Sequence, residues 1–146
     1  MAIDSTIPVR QAVLRHLATI PAVTKIVPAS RLYAMTVAEP KWPFVRYGAS
    51  SPLPLRATGI DGAEIGVAVH GFAKARQNSA GAMLETAEDH AGRLGAALAR
   101  ALDGIRLDIA GGHCKVRWAG SQLLVDAAEA DAFHCVVNLR VQCITV

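Results

Sequence analysis

The closing segment constrains the fold more than any other part of the chain. It reads Phe133-His134-Cys135-Val136-Val137-Asn138-Leu139-Arg140-Val141-Gln142-Cys143-Ile144. Phe133, Cys135, Val137, Leu139, Val141 and Cys143 fall on one face, and His134, Asn138, Arg140 and Gln142 on the other. Alternation with a period of two marks a strand with one dry face and one wetter face. At about 3.3 Å per residue it spans roughly 33 Å, about twice a common strand. Reactive groups tend to sit in loops at the ends of such scaffolds. A chain that spends its closing residues on a long sheet element therefore reads as a structural or assembly protein.

Composition supports that direction. The 146 residues suffice for one domain with a real core, expected over 1–146. Hydrophobic residues make up 52% and charged ones only 18%, and the mean hydropathy is +0.31. No apolar run approaches the roughly 18 residues of a membrane span. Met1–Thr6 lacks a basic region followed by an apolar one, so no signal peptide is expected. An apolar chain outside a membrane hides part of its surface in an oligomer. The net charge of +3 is uneven: residues 1–77 hold nine basic against four acidic side chains, and residues 78–146 hold six against eight. The basic residues are spread singly along the chain, without a nucleic-acid cluster. Three cysteines, Cys114, Cys135 and Cys143, argue against a disulfide framework and for a reducing compartment.

Along the chain, Pro8 to Leu17 reads as a short helix capped by Ser5 or Thr6, with Val9, Val13, Leu14 and Leu17 as its stripe. Val23 to Met35 reads as irregular. Trp42-Pro43 introduces a strand from Phe44 to Ala49. A turn-rich stretch follows from Gly48 to Gly62, with Asp61-Gly62 as a hairpin signal. Glu64 to Phe72 is a second strand. Asn78 or Ser79 is expected to cap a long helix reaching Leu102, where Asp103-Gly104 stops it. Over that length the helix measures about 36 Å. Ile105–Ile109 reads as an edge segment, Lys115–Ala119 as a third strand, and Asp126, Glu129 and Asp131 as an acidic loop. The sum is an α+β domain. Its mostly antiparallel sheet of about four strands is covered on one face by the long helix and the short N-terminal one.

No catalytic constellation stands out, and neither a cofactor nor a metal is expected. Eight residues separate Cys135 from Cys143, about 26 Å along a strand. One zinc ion, with bonds of about 2.3 Å, cannot take both. His113-Cys114 follows Gly111-Gly112 in an expected loop. A thiol-dependent enzyme or binding module would rest on Cys114. Glu85, Glu88 and Asp89 suit a solvated helix start. The glycines at 59, 62 and 66 form no phosphate loop.

Several passages together resemble the tail completion, or tail terminator, family of long-tailed phages and gene transfer agents. Ser30-Arg31-Leu32-Tyr33 is similar to the family's small-Arg-Ile-Tyr segment. Trp42-Pro43-Phe44-Val45-Arg46-Tyr47 is similar to its Leu-Pro-Tyr-Val-Val-Tyr strand. Ala63–Ala73 resembles its central strand, Ala96–Gly104 its helix end and Phe133–Ile144 its closing strand. The resemblance implies a virion protein and no enzyme: a ring, usually a hexamer, at the head-proximal end of the tail tube. Such a ring ends tube growth and joins tail to head. Implied partners are further copies of the chain, the tail tube protein and the head connector or stopper protein, with non-specific contact to DNA in the lumen and none to a membrane. A head–tail adaptor or a tube subunit is the alternative of related build. Candidate subunit or lumen contacts are Arg46, Leu53, Leu55, Arg56, Ile60, Asn138 and Arg140.

Overall fold

The computed structural model describes residues 4–57 and 60–145. Among these described residues three helices and eight strands follow in order. Helix α1 is Thr6–Leu17 and α2 is Pro21–Thr24, with a 3-10 turn at Ala29–Arg31 before strand β1, Leu32–Tyr33. Strands β2, Phe44–Ala57, and β3, Ile60–Lys74, form a long hairpin. The two short strands β4, Arg76–Gln77, and β5, Met83–Glu85, pair with each other alone. Helix α3, Ala87–Leu102, is followed by β6, Arg106–Ile109, then β7, Gly112–Val125, and β8, Ala132–Thr145. The main sheet has the order β1-β2-β3-β8-β7-β6 and is antiparallel except for β1 on β2.

The α+β class is as expected, but the main sheet has six strands rather than about four. The extra length comes from segments read as loops. The stretch from Gly48 to Gly62, expected to be turn-rich, holds Pro52 and Pro54, yet both lie inside β2, opposite Ile65 and Ala63. No described strand pairs with the outer side of β2 beyond Arg46, so the missing proline donors leave no ladder bond unmade. Asp61-Gly62 is not the turn; it pairs in β3 with Thr145 and Ile144 of β8. Thr58 and Gly59, between β2 and β3 in sequence, lie outside the described residues. Strand β7 likewise runs past Ala119, through an irregularity between Trp118 and Gly120.

Helix α3 begins at Ala87, not near Asn78. The Asn78 carboxamide accepts the N–H groups of Ala80 and Ala82 at 2.9 Å each and closes a turn. Thr86 is the working cap, accepting from Asp89 N–H at 3.1 Å, with Glu88 and Asp89 in the first turn where the helix dipole favours anions. At 16 residues the helix is about 24 Å long and covers only part of the sheet. At α1 the structure places Ser5 in the cap position without a side-chain bond; Asp4 Oδ1 accepts from Thr6 N–H instead, at 2.9 Å.

One face of the sheet is covered by helices over most of its width. Val45, Ile65, Val69, Val116, Val137 and Val141 are fully buried there against Leu94, Leu98 and Leu102 of α3 and Val9, Val13 and Leu17 of α1. Helix α3 lies over β3, β8 and β7, whereas α1 touches both β2 and β6, near opposite ends of the sheet. The sheet therefore curls around the helices. Close packing requires glycine at 71, where a Cβ would meet Cys135 Sγ at 2.6 Å and Leu94 Cδ2 at 2.8 Å.

Candidate functional site

Among the described residues no helix covers the opposite face, and the polar side chains of the alternating strands converge on it. Its register is continuous: Arg46 lies opposite His70, Leu53 opposite Glu64 and Leu55 opposite Gly62. Ala68 lies opposite Asn138 and Gly66 opposite Arg140. Arg46, Leu53, Leu55, Asn138 and Arg140 thus share one surface, although they come from three segments of sequence. The side chains of the other two candidates, Arg56 and Ile60, lie outside the described residues.

One end of this face holds an aromatic stack. Phe44 and Phe72 are stacked with centroids 4.6 Å apart, Trp42 packs edge-on to Phe44 at 5.0 Å, and His134 stacks on Phe72 at 4.2 Å. His70 continues the row, its Nδ1 2.6 Å from His134 Nε2. Two cations lie against the rings: the Arg46 guanidinium 5.4 Å from the Phe72 centroid, and the Lys74 ammonium 4.7 Å from that of Trp42. Cations over ring faces are drawn by the π quadrupole. Burial, then the neighbouring His134 and Arg46, push the His70 imidazole down to about 4. Burial also lowers His134. Two neutral rings sharing one proton suit this spacing, and two imidazoliums do not.

The middle of the face is basic. Arg140 is exposed and ion-paired with Glu64 at 3.1 Å. Directly across from it on β7 stands Arg117, and Lys115 stands across from Arg106 on β6. Arg106, Lys115, Arg117 and Arg140 are all exposed. With Gln142, the last three line a depression of about 260 Å³. Against these cations, Glu64 supplies a carboxylate through its ion pair with Arg140. Like charges directly opposed across a ladder are destabilising. A surface that keeps them is built for an anionic partner or tolerates the repulsion.

The sequence reading missed this array because its members lie 2 to 34 positions apart. Only strand register brings them together. The usable signal was the alternation Lys115-Val116-Arg117, which matches Leu139-Arg140-Val141. The aromatic row was equally hidden, since Trp42, Phe72 and His134 meet only through the β2–β3–β8 order.

The thiol reading is corrected. Cys114 is not in a loop; it is fully buried on β7, directly opposite Cys143 on β8. The two thiols share a hydrogen bond, which lowers Cys114 and, together with burial, raises Cys143. Burial pushes Cys135 up to about 11. Cys114 therefore has none of the exposure a reactive thiol needs. Among the described residues no three His, Cys, Asp or Glu side chains could hold a metal ion, and no helix is long and apolar enough to cross a membrane.

Comparison with known proteins adds two findings. The family model described as tail completion protein gp17 matches residues 11–143. A solved chain from the virion of a native gene transfer agent particle superposes with a TM-score of 0.74 at 16% identity, over 94% of this chain and 95% of that one. At that identity the likeness shows a shared fold. No curated protein matches.

Proposed function

The chain belongs to the tail completion protein gp17 family, a family of virion tail proteins, and from that premise we propose that it forms a ring at the head-proximal end of the tail tube. The ring, a hexamer of one domain per subunit, ends tube polymerisation and joins the tail to the head. Its mechanism is geometric. One surface of the ring copies the tube's own growing end and binds the last tube layer. The opposite surface does not copy that end and takes the head connector or stopper protein instead.

The observation that carries the reading is the two-sidedness of the sheet: one face packs under α1 and α3, and the other is bare, continuous and basic. A bare sheet face of this kind suits a lumen, and a cationic one suits the DNA that passes through it. Phosphates attract such an array without regard to sequence. Arg46, Asn138 and Arg140 would then face the lumen, with Leu53 and Leu55 toward its rim. The solved gene transfer agent chain supports the fold that such a part requires.

Native mass measurement and negative-stain imaging test this, with the purified protein alone and mixed with the tail tube protein. The expected result is a closed ring seated once, at one end of tubes whose growth has stopped. A protein that repeats along the tube, or that stays monomeric in every mixture, would overturn the ring.

A further inference from the structure

Two surfaces outside the candidate site are unsatisfied in complementary ways. The first is the outer edge of β7. Strand β6 pairs with β7 only from Gly112 to Lys115, and Asp103 Oδ1 accepts from Trp118 N–H at 2.9 Å. From Ala119 to Val125 no described strand covers the outer edge. These seven residues contain no charge and no proline. Leu123, Leu124 and Val125 are exposed at 41%, 45% and 70%. Natural sheets blunt such edges with charges, prolines or bulges, and this chain does so at β2 with Pro52 and Pro54; at β7 the irregularity between Trp118 and Gly120 leaves the register regular from Gly120 to Val125. Beside the bare edge, between α3 and β7, runs an apolar groove of about 540 Å³. Its walls are Gly92, Ala96 and Ala99 on one side and Trp118, Ser121 and Leu123 on the other.

The second surface is the β4–β5 arm. Its residues Asn78 to Leu84 are also uncharged. Met83 and Leu84 are exposed at 56% and 59%. The base of the arm is fixed: Glu85 accepts from Arg76 at 2.9 Å and from Arg93 at 2.9 Å. The Arg93 hydrogen bond, with that of Arg76, holds its carboxyl at about 2. The arm is thus a fixed projection with an apolar end.

We propose that the β4–β5 arm of one copy docks along the β7 edge and into the α3–β7 groove of the next copy. The contact presupposes the ring proposed above and assigns its surfaces. A second copy is the fitting occupant because the chain carries both halves. Consecutive strand residues point to opposite sides. Leu123 faces the groove side with Cys135, and Leu124 faces the open side with His134. An added strand bearing Met83 and Leu84 puts one apolar side chain on each side, matching that pair. Backbone bonds from the added strand supply affinity, and the groove supplies specificity. Because the two patches differ, the contact is head-to-tail, the class that closes into rings.

Leu84→Asp spoils the arm and Ala96→Arg spoils the groove, both at exposed positions. The full chain carrying either change is expected to form no ring in native mass spectra. Mixed one to one, the two variants are expected to give dimers and nothing larger, since one intact arm and one intact groove remain. Two variants that each form wild-type rings would overturn the contact and leave the ring standing. A wild-type chain that stays monomeric, alone and with tube protein, would instead remove the ring itself. Should either variant fail to fold, Leu84→Cys mixed with Ala96→Cys and treated with a short bismaleimide decides the matter. Cross-linked dimer is expected, its native thiols being buried, and its absence in wild-type-sized rings would overturn the contact.

Discussion

Reversing one charge, Arg117→Glu, should make this protein more stable while making it worse at its task. Arg117 stands directly opposite Arg140 on the neighbouring strand, and among the described residues it makes no ion pair of its own. Directly opposed side chains have Cβ atoms about 5 Å apart, and such pairs shift stability by roughly 0.2–1 kcal/mol. The change replaces the repulsion from Arg140, and from Lys115 nearby, with attraction to both. Arg140 keeps its bond to Glu64, so the added attraction is shared, and a net gain of about 1 kcal/mol is expected. For a chain of this size that raises the unfolding midpoint by about 3 °C. Thermal unfolding at fixed protein concentration, at about 0.02 M and about 1 M salt, reads it out. The gain should fade at high salt, where the screening length falls to about 3 Å. Binding of random-sequence duplex DNA by the assembled protein should weaken, and its salt dependence should flatten by about one charge or more. A variant that is less stable at low salt would refute the reasoning, as would an undiminished gain at high salt. Either result would mean that Arg117 is held by something other than its opposed cation.

Two further outcomes follow from the packing and the histidine pair. Gly71→Ala drives a Cβ toward Cys135 Sγ and Leu94 Cδ2 and should cost about 1–3 kcal/mol in urea unfolding; adding Cys135→Ala should recover part of that loss, and strictly additive effects would deny the contact. The His70 imidazole is held at about 4 in the folded chain against about 6.5 unfolded, so the unfolded state binds the extra proton between those values. Stability is therefore fully present above pH ~6.5 and declines as pH falls toward ~4; His70→Gln should flatten that slope, and an unchanged slope would reassign it to other groups.

Much of the sheet was legible because alternation is a local signal. The closing strand was read as Phe133–Ile144 and is Ala132–Thr145. The second half of α3 was legible for the same reason, its stripe of Ala91, Leu94 and Leu98 being buried. The errors arose where one residue type serves two purposes. Asn78 can cap a helix or close a turn, and here it accepts from both Ala80 and Ala82. Prolines usually break strands but are harmless on an outer edge, which hid the length of β2. Gly111-Gly112 read as a loop, although β7 begins at Gly112, and that error moved Cys114 from the core to the surface. The candidate face was half legible: Asn138 and Arg140 followed from the wet side of the last strand. Their neighbours Arg106, Lys115 and Arg117 depended on register between segments, which a single sequence does not state.

The two outer edges of the sheet bear on how many copies can join. If both were bare, edge-to-edge addition would extend the sheet without limit. At β2 the prolines remove donors from the outer side, so that edge is a poor template. At β7 no described strand covers the edge from Ala119 to Val125. One bare edge per subunit, used alone, pairs with its own copy about a two-fold axis and stops at a dimer. A closed ring of more than two needs a second, different patch on each subunit. The β4–β5 arm, exposed at Met83 and Leu84 and anchored through Glu85 to Arg93 of α3, meets that need. The two arrangements part at the Leu84→Asp variant: a two-fold β7 pair leaves it dimeric, whereas the head-to-tail contact leaves it unable to join its own kind. Dimers from that variant alone would place the subunit contact on β7 by itself and would remove the arm from the assembly.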